Sequence, residues 1–207
     1  MGFMPDSVAD LFDRLAAGYD PDGSHAALSE QLLGQAAEAF AGAEPQKVVD
    51  VGTGTGAAAF AAARRFPAAA VTGLDISPAM IERARRAAKS SGAGDRLDWV
   101  VAPAVPLPMP AGSVDLVVCA STVHFLGAPA LDDWRRVLRA GGLAAFTLPW
   151  RDSFRPGPDF AALLPPAQLQ VPLPATPLDA ENFSWDGFAT ASVTGTDRAA
   201  VVVLRAL

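Results

Sequence analysis

One nine-residue run constrains this chain more than any other: Val48-Val49-Asp50-Val51-Gly52-Thr53-Gly54-Thr55-Gly56. Val48 to Val51 is a β-branched run interrupted by one acid, which reads as a central parallel strand. The glycines let the chain turn sharply and let a ligand reach main-chain atoms with no Cβ in the way. Ala57 to Phe66 is alanine-rich and reads as a helix ended by Pro67. Val71 to Leu74 is a second strand, closed by Asp75. That acid stands 19 residues past Gly56, about the separation at which an acid meets a ribose diol in a dinucleotide fold. The turn also satisfies the G-x-G-x-x-A pattern of nicotinamide and flavin enzymes through Gly52, Gly54 and Ala57. The residues alone therefore specify a nucleoside-bearing cofactor and leave its kind open.

Three features pull away from a dinucleotide. Asp50 sits two residues before the first glycine, where it can orient a cationic amine. Gly56 adds a third glycine at alternate spacing. A helix begins directly after the acid, in Asp75-Ile76-Ser77-Pro78-Ala79-Met80, with Ser77 as N-cap and Pro78 at the first helical position.

Over roughly residues 8–150 the chain resembles the class I S-adenosylmethionine-dependent methyltransferase family. Asp50 to Gly56 matches that family's glycine motif and Asp75 to Met80 its ribose-binding segment. Upstream, Phe12-Asp13-Arg14-Leu15-Ala16-Ala17-Gly18-Tyr19-Asp20 is similar to the segment folded over the cofactor's methionine end. Asp115 to Cys119 resembles the fourth strand, and Val137 to Gly142 the turn into the fifth. The resemblance implies that S-adenosyl-L-methionine is held by Asp50, Gly52, Thr53, Gly54 and Gly56. Asp75 would hold the ribose hydroxyls, Ile76 would lie on the adenine, and Tyr19 would sit at the methionine end. Cys119 is grouped with these contacts by position, although as chemistry it reads as a buried, inert thiol.

The chain departs from the family where a Gly-Asp-Ala run usually follows the third strand. Here Ala102-Pro103-Ala104 occupies that place. Pro103 offers neither a side-chain acceptor nor a backbone N–H, while the Ala104 N–H can still meet an adenine nitrogen. Ala140 replaces a common proline before the Gly-Gly turn. After the fifth strand, residues 156–177 carry seven prolines, so little regular helix is expected where many relatives place helices over the active site.

With 207 residues, half of them apolar, the chain suits one α/β domain over 1–207, with 152–182 as a proline-rich irregular insert. Helices are expected at Ser7–Leu15, Ala26–Phe40, Ala79–Ser90 and Leu131–Leu138, and strands at Asp98–Val101, Val114–Cys119 and Leu143–Leu148. Phe188–Val193 and Arg198–Leu204 read as a hairpin. The expected fold is a Rossmann-like, doubly wound, seven-stranded mixed sheet with an antiparallel C-terminal hairpin.

The net charge of −6 and a pI near 4.8 lack the footprint of a general nucleic-acid binder. Arg83, Arg85 and Arg86 read as a solvated helix face. One cysteine excludes an intrachain disulfide, and one cysteine with two histidines gives no zinc spacing. No stretch approaches the length needed to cross a bilayer, and the expected location is cytoplasmic. The oligomeric state stays open.

Methyl transfer needs an acceptor aligned with an activated methyl, and a base only where the nucleophile must lose a proton. His124, after the fourth strand, is the catalytic candidate, with packing near the methionine end as its alternative. His25 reads as a surface or helix N-terminal residue. Trp150, Arg151 and Phe154 either line an acceptor pocket or cover the core. The expected acceptor is a small molecule, with no nucleic acid or membrane as partner. The alternatives are a non-transferring S-adenosylmethionine-binding protein or an enzyme subunit needing a partner, or a nicotinamide-dependent oxidoreductase.

Overall fold

The computed structural model describes residues 7–20, 23–91, 96–155, 161 and 171–207. Its strands are β1 (Lys47–Val51), β2 (Ala70–Asp75), β3 (Leu97–Val101), β4 (Val114–Cys119), β5 (Leu138–Pro149), β6 (Phe188–Gly195) and β7 (Ala199–Ala206). They form one mixed sheet in the order β3-β2-β1-β4-β5-β7-β6. Only β7 runs against its neighbours. The seven-stranded, doubly wound expectation is met.

Alternation along each strand divides the core between the two faces. Val49, Val51, Val117, Cys119, Ala144 and Phe146 face one side, with Trp134 among them. Val48, Leu116, Val118, Leu143 and Ala145 face the other. Both sides are covered, so the central strands carry almost no polar residues. Helices α2 (Ser24–Ala39) and α3 (Ala57–Arg65) cover the second face. Five alanines of α3 are buried, and their small side chains let the helix lie close to the sheet. It stops at Arg65 because Phe66 precedes a proline and adopts φ −123°, ψ 77°.

Helix α1 (Val8–Leu15) leads through a 3₁₀ turn, Ala16–Gly18, to Tyr19. It packs chiefly on α4 (Pro78–Ser91). Asp13 Oδ1 accepts from Ala79 N at 3.0 Å and from the Ser77 hydroxyl. It thereby caps α4 from another helix, while Ser77 Oγ accepts from Met80 N at 3.1 Å. Arg83 donates to the Ala16 carbonyl. Arg85 reaches the Trp99 carbonyl at 2.9 Å and Arg86 lies 3.8 Å from Glu82. The arginine cluster is thus divided among separate local contacts.

Three details differ from expectation. The helix before β5, α6 (Ala128–Val137), starts earlier than Leu131 because Pro129 suits the first helical turn. Leu138 belongs to β5, where the strand carries an irregularity opposite Val114 and Leu116. A single turn, α5 (Val123–Leu126), and a short helix, α7 (Pro177–Glu181), were not anticipated. The latter starts on the last proline of the rich segment. A reciprocal Thr176–Asp179 capping box fixes its first turn. The remainder of the expected insert lies largely outside the described residues.

Candidate active site

The strand order reverses between β1 and its neighbours β2 and β4, and open α/β sheets bind ligands outside the carboxyl ends of strands at such a point. Three turns meet there: Gly52 after β1, Asp75 at the end of β2, and Ser121 after β4. Gly52 and Gly54 have φ +68° and +54°, the left-handed region that glycine tolerates. A Cβ on Gly52 would lie 2.8 Å from Thr122 Oγ1, so the turn also needs the bare backbone for room.

Asp75 ties the turn together. Its Oδ2 accepts from Gly54 N at 2.8 Å and its Oδ1 from Ser77 N at 2.9 Å. Burial raises its pKa, opposed by these N–H donors. Thr53 N donates to the Leu74 carbonyl at 2.9 Å, fastening the glycine turn to β2. The Ile76 N–H also acts on this carboxylate, which still keeps acceptor capacity for a ligand hydroxyl.

A cavity of about 280 Å³ opens over these groups. Gly52, Gly54, Asp75, Ile76 and Ala104 line it, as do Tyr19, Val8 and Phe12 from the N-terminal segment. Ser121, Thr122, Phe125 and Leu126 close the side after β4. A smaller hollow of about 20 Å³ adjoins, walled by Tyr19, His25, Asp50, Thr53 and Gly54. Asp50 is 1% exposed. Its Oδ2 accepts from the Thr53 hydroxyl at 2.6 Å, whereas Oδ1 has no hydrogen-bond partner among the described residues. Burial pushes this carboxyl up to about 7, against the pull of the Thr53 hydroxyl and the Ala59 N–H. Tyr19, whose ring packs on Gly54 and stacks on His25 at 5.2 Å between centroids, is pushed up to about 12 by burial and by Asp75 and Asp20. Its phenol stays protonated. His25 Nδ1 lies 2.9 Å from Asp20 Oδ1, which also accepts from the His25 N–H at 3.1 Å. The expected helix N-terminal role of His25 is realised.

The turn, Asp75, Ile76, Ala104, Tyr19, Thr53 and Asp50 are therefore brought together. Four expected residues are not. Gly56, at φ +98°, lines neither cavity; a Cβ there would meet Trp99 at 2.7 Å and Phe60 at 2.8 Å, so its role is packing. Pro103 is exposed and off the cavity wall. Cys119 is fully buried within the core, and burial pushes its thiol up. His124 is 2% exposed and does not line the cavity; burial drives its pKa down to about 3, and neither ring nitrogen has a partner among the described residues. Its ring lies against Phe125 and edge-on to Phe154 at 5.3 Å. A base role for His124 finds no support in this placement. Trp150 covers the core and donates to the Thr196 carbonyl at 2.9 Å, and Arg151 sits 3.6 Å from Asp152; neither lines the cavity. Phe125 and Leu126 occupy the wall expected of His124.

Sequence reasoning missed Ser121 and Thr122. The available signal was a hydroxyl pair directly after a strand, at the sheet edge where ligands bind. It also missed Trp99, although Gly73 inside β2 marks a close approach. A Cβ on Gly73 would lie 2.6 Å from the Trp99 ring.

The sheet order and the tied glycine turn define the Rossmann-like methyltransferase class. Residues 48–142 match the model of a methyltransferase domain family. The matched domain, the fold and the relatives that follow support the class I S-adenosylmethionine-dependent methyltransferase family for this chain, and not the nicotinamide alternative. It is 39% identical over 145 residues to a malonyl-[acyl-carrier protein] O-methyltransferase of Geobacter sulfurreducens, covering 68% of this chain and 52% of that protein. It is 37% identical over 134 residues to an aklanonic acid methyltransferase of a Streptomyces species, covering 60% and 59%. Among solved structures it resembles a geranyl diphosphate C-methyltransferase from Streptomyces coelicolor A3(2), in complex with S-adenosyl-L-homocysteine. That likeness has TM-score 0.64 and 14% identity, over 87% of this chain and 76% of the other. The chain spans about half the length of the curated relatives it matches.

Proposed function

We propose that this chain binds S-adenosyl-L-methionine in the paired cavities and transfers its methyl group to a small-molecule acceptor by in-line displacement. The observation that carries the reading is the pairing of two unmet needs. The larger cavity presents Asp75 beside bare glycine backbone, and the adjoining hollow presents the orphaned Asp50 Oδ1. A ribose diol answers the first and a cationic amine the second, and one nucleoside carrying an amino-acid chain supplies both. An unpartnered buried carboxylate oxygen otherwise costs free energy that the fold has no reason to bear.

When bound, S-adenosyl-L-methionine supplies a methyl group activated by a sulfonium. The protein's work is to bind, orient and exclude water. Asp75 holds the ribose and the glycine turn in one arrangement. Tyr19 closes the space above Gly54. Phe12 and Val8 of α1 form part of the cavity wall. The relatives' names describe different acceptors, a malonyl thioester and aklanonic acid, so they support a small molecule and no single one. We also take residues 1–207 as one domain acting in the cytoplasm; no described helix is long and apolar enough to cross a membrane.

Calorimetric titration with S-adenosylhomocysteine tests the cofactor assignment. Micromolar binding that disappears in Asp75→Ala supports it. No binding by the unaltered protein overturns it.

A further inference from the structure

The wall of the larger cavity carries information about what can receive a methyl group there. Its large groups are apolar: Phe12, Met80, Phe125 and Leu126. Between them stand two hydroxyls, Ser121 and Thr122. Ser121 is held in an unusual state, with φ +61° on a residue that has a Cβ. Such strain persists only where surrounding structure enforces it, and it concentrates at functional sites. The enforcing contact is Ser121 N donating to Thr147 Oγ1 at 2.8 Å, with Thr147 fully buried on β5. Thr122 Oγ1 makes a long contact of 3.4 Å to the Ala120 carbonyl and also reaches the buried Cys119 thiol. The strained turn thus places Ser121 and Thr122 together on the wall of a largely apolar cavity.

The supply of bases in the chain is small. Beyond carboxylates, the whole sequence contains His25, His124, Tyr19, Cys119, Lys47 and Lys89. Lys47 begins β1, at the sheet edge opposite the cavity, and Lys89 lies in the last turn of α4. Cys119 and His124 are buried away from the cavity wall, and Tyr19 keeps its proton. His25 is engaged by Asp20 and faces the smaller hollow instead. Asp75, the carboxylate on the larger wall, is already tied to two N–H groups.

Resting on the proposed methyl transfer, we propose that the acceptor is a small molecule bearing a carboxylate, received by the Ser121 and Thr122 hydroxyls and methylated on oxygen with no protein base. A carboxylate is ionised at neutral pH and arrives with its lone pair free. Its oxygen bonds to the methyl carbon, the carbon–sulfur bond breaks, and that bond's electron pair stays on sulfur. No proton moves. One anion and one cation become a neutral ester and a neutral thioether. Because charge disappears along this path, an apolar wall favours it. An alcohol, phenol or ammonium acceptor must in addition shed a proton, and with Asp75 taken by the ribose no group on the larger wall is free to take it among the described residues.

The test uses the full chain saturated with S-adenosylhomocysteine, into which matched probes are titrated by calorimetry. One set is octanoate, octanol and octylamine; the other is benzoate, phenol and aniline. In at least one set the carboxylate is expected to bind about tenfold more tightly than its partners, as hydrogen bonds to a charged group allow. Ser121→Ala removes that margin. So does Ser121→Gly, which suits the backbone conformation and separates loss of the hydroxyl from loss of fold. With S-adenosylmethionine, methyl octanoate or methyl benzoate is the expected product. The acceptor assignment is overturned if neither carboxylate is bound or methylated better than its partners, including no transfer to any probe. It is equally overturned if an alcohol or phenol is methylated and His25→Ala abolishes that transfer. Binding of S-adenosylhomocysteine without the carboxylate margin removes this assignment alone. Failure of S-adenosylhomocysteine to bind removes the proposed function and this assignment together.

Discussion

Single residues set the site's chemistry, and Asp75 is the first to test. It joins the glycine turn to α4 and, in the proposed complex, offers its remaining lone pairs to the ribose. Each hydrogen bond to a charged group contributes about 1.5–3 kcal/mol. Losing two predicts binding of S-adenosylhomocysteine by Asp75→Ala weaker by at least about a hundredfold, measured by calorimetry. Asp50 makes a pH prediction. Its carboxyl is raised from 3.8 to about 7, so between these values the empty folded protein holds a proton that the unfolded chain releases. Its contribution to stability is therefore full below the unfolded pKa and is lost as pH rises through the folded one. A cationic amine requires the ionised carboxylate, which reverses the sign for binding. Cofactor affinity is expected to strengthen with rising pH up to about 7, by at most about tenfold per unit, and then level off. Asp50→Asn should flatten that profile. A third test is Gly73→Ala. Its Cβ has no room beside Trp99, and overpacking of this kind costs about 1–3 kcal/mol, read from urea denaturation. These residues differ in legibility. Asp50, Asp75 and the first two glycines are visible in the sequence because motif chemistry is local. Ser121 and Trp99 are not, because their roles depend on Thr147 and Gly73, which lie far from them along the chain.

At the scale of elements, α1 and the 3₁₀ turn after it are fastened to α4 by polar ties. Asp13 accepts from the Ser77 hydroxyl and Ala79 N, and Arg83 reaches the Ala16 carbonyl. Replacing a helix cap costs about 1 kcal/mol. Asp13→Ala is therefore expected to destabilise the protein by about that amount and to speed hydrogen exchange selectively in α1 and the first turn of α4. Uniform exchange across the sheet would contradict the tether. The central strands were readable from their apolar runs, since burial on both faces leaves a simple pattern. Boundaries near 138 were not, because a helix end and a strand start abut with no spacer. The helix α7 was hidden for a related reason: proline breaks a helix interior yet suits its first position, and only the capping partner Asp179 distinguishes the two.

Across the whole molecule, the sheet divides the apolar residues into two clusters, and Trp134 anchors one of them with no exposure. Trp134→Ala is predicted to cost about 3–5 kcal/mol, measured by chemical denaturation, while leaving the glycine turn's sequence untouched. Long-range polar ties supplement the core. Asp115 accepts from Gln46 N and Lys47 N, both at 2.8 Å, and Arg205 donates to Gly141 and Ala39 carbonyls. The position of β7 has a further consequence. It lies between β5 and β6, although both precede it in the chain. During synthesis, β5 emerges well before the strand that pairs with it, and its open edge waits for some fifty residues. An unpaired apolar edge is a template for pairing with other chains. The nascent protein is therefore most vulnerable to aggregation just before its sheet closes, and slowing the ribosome between the codons for β5 and β7 should lower the soluble yield.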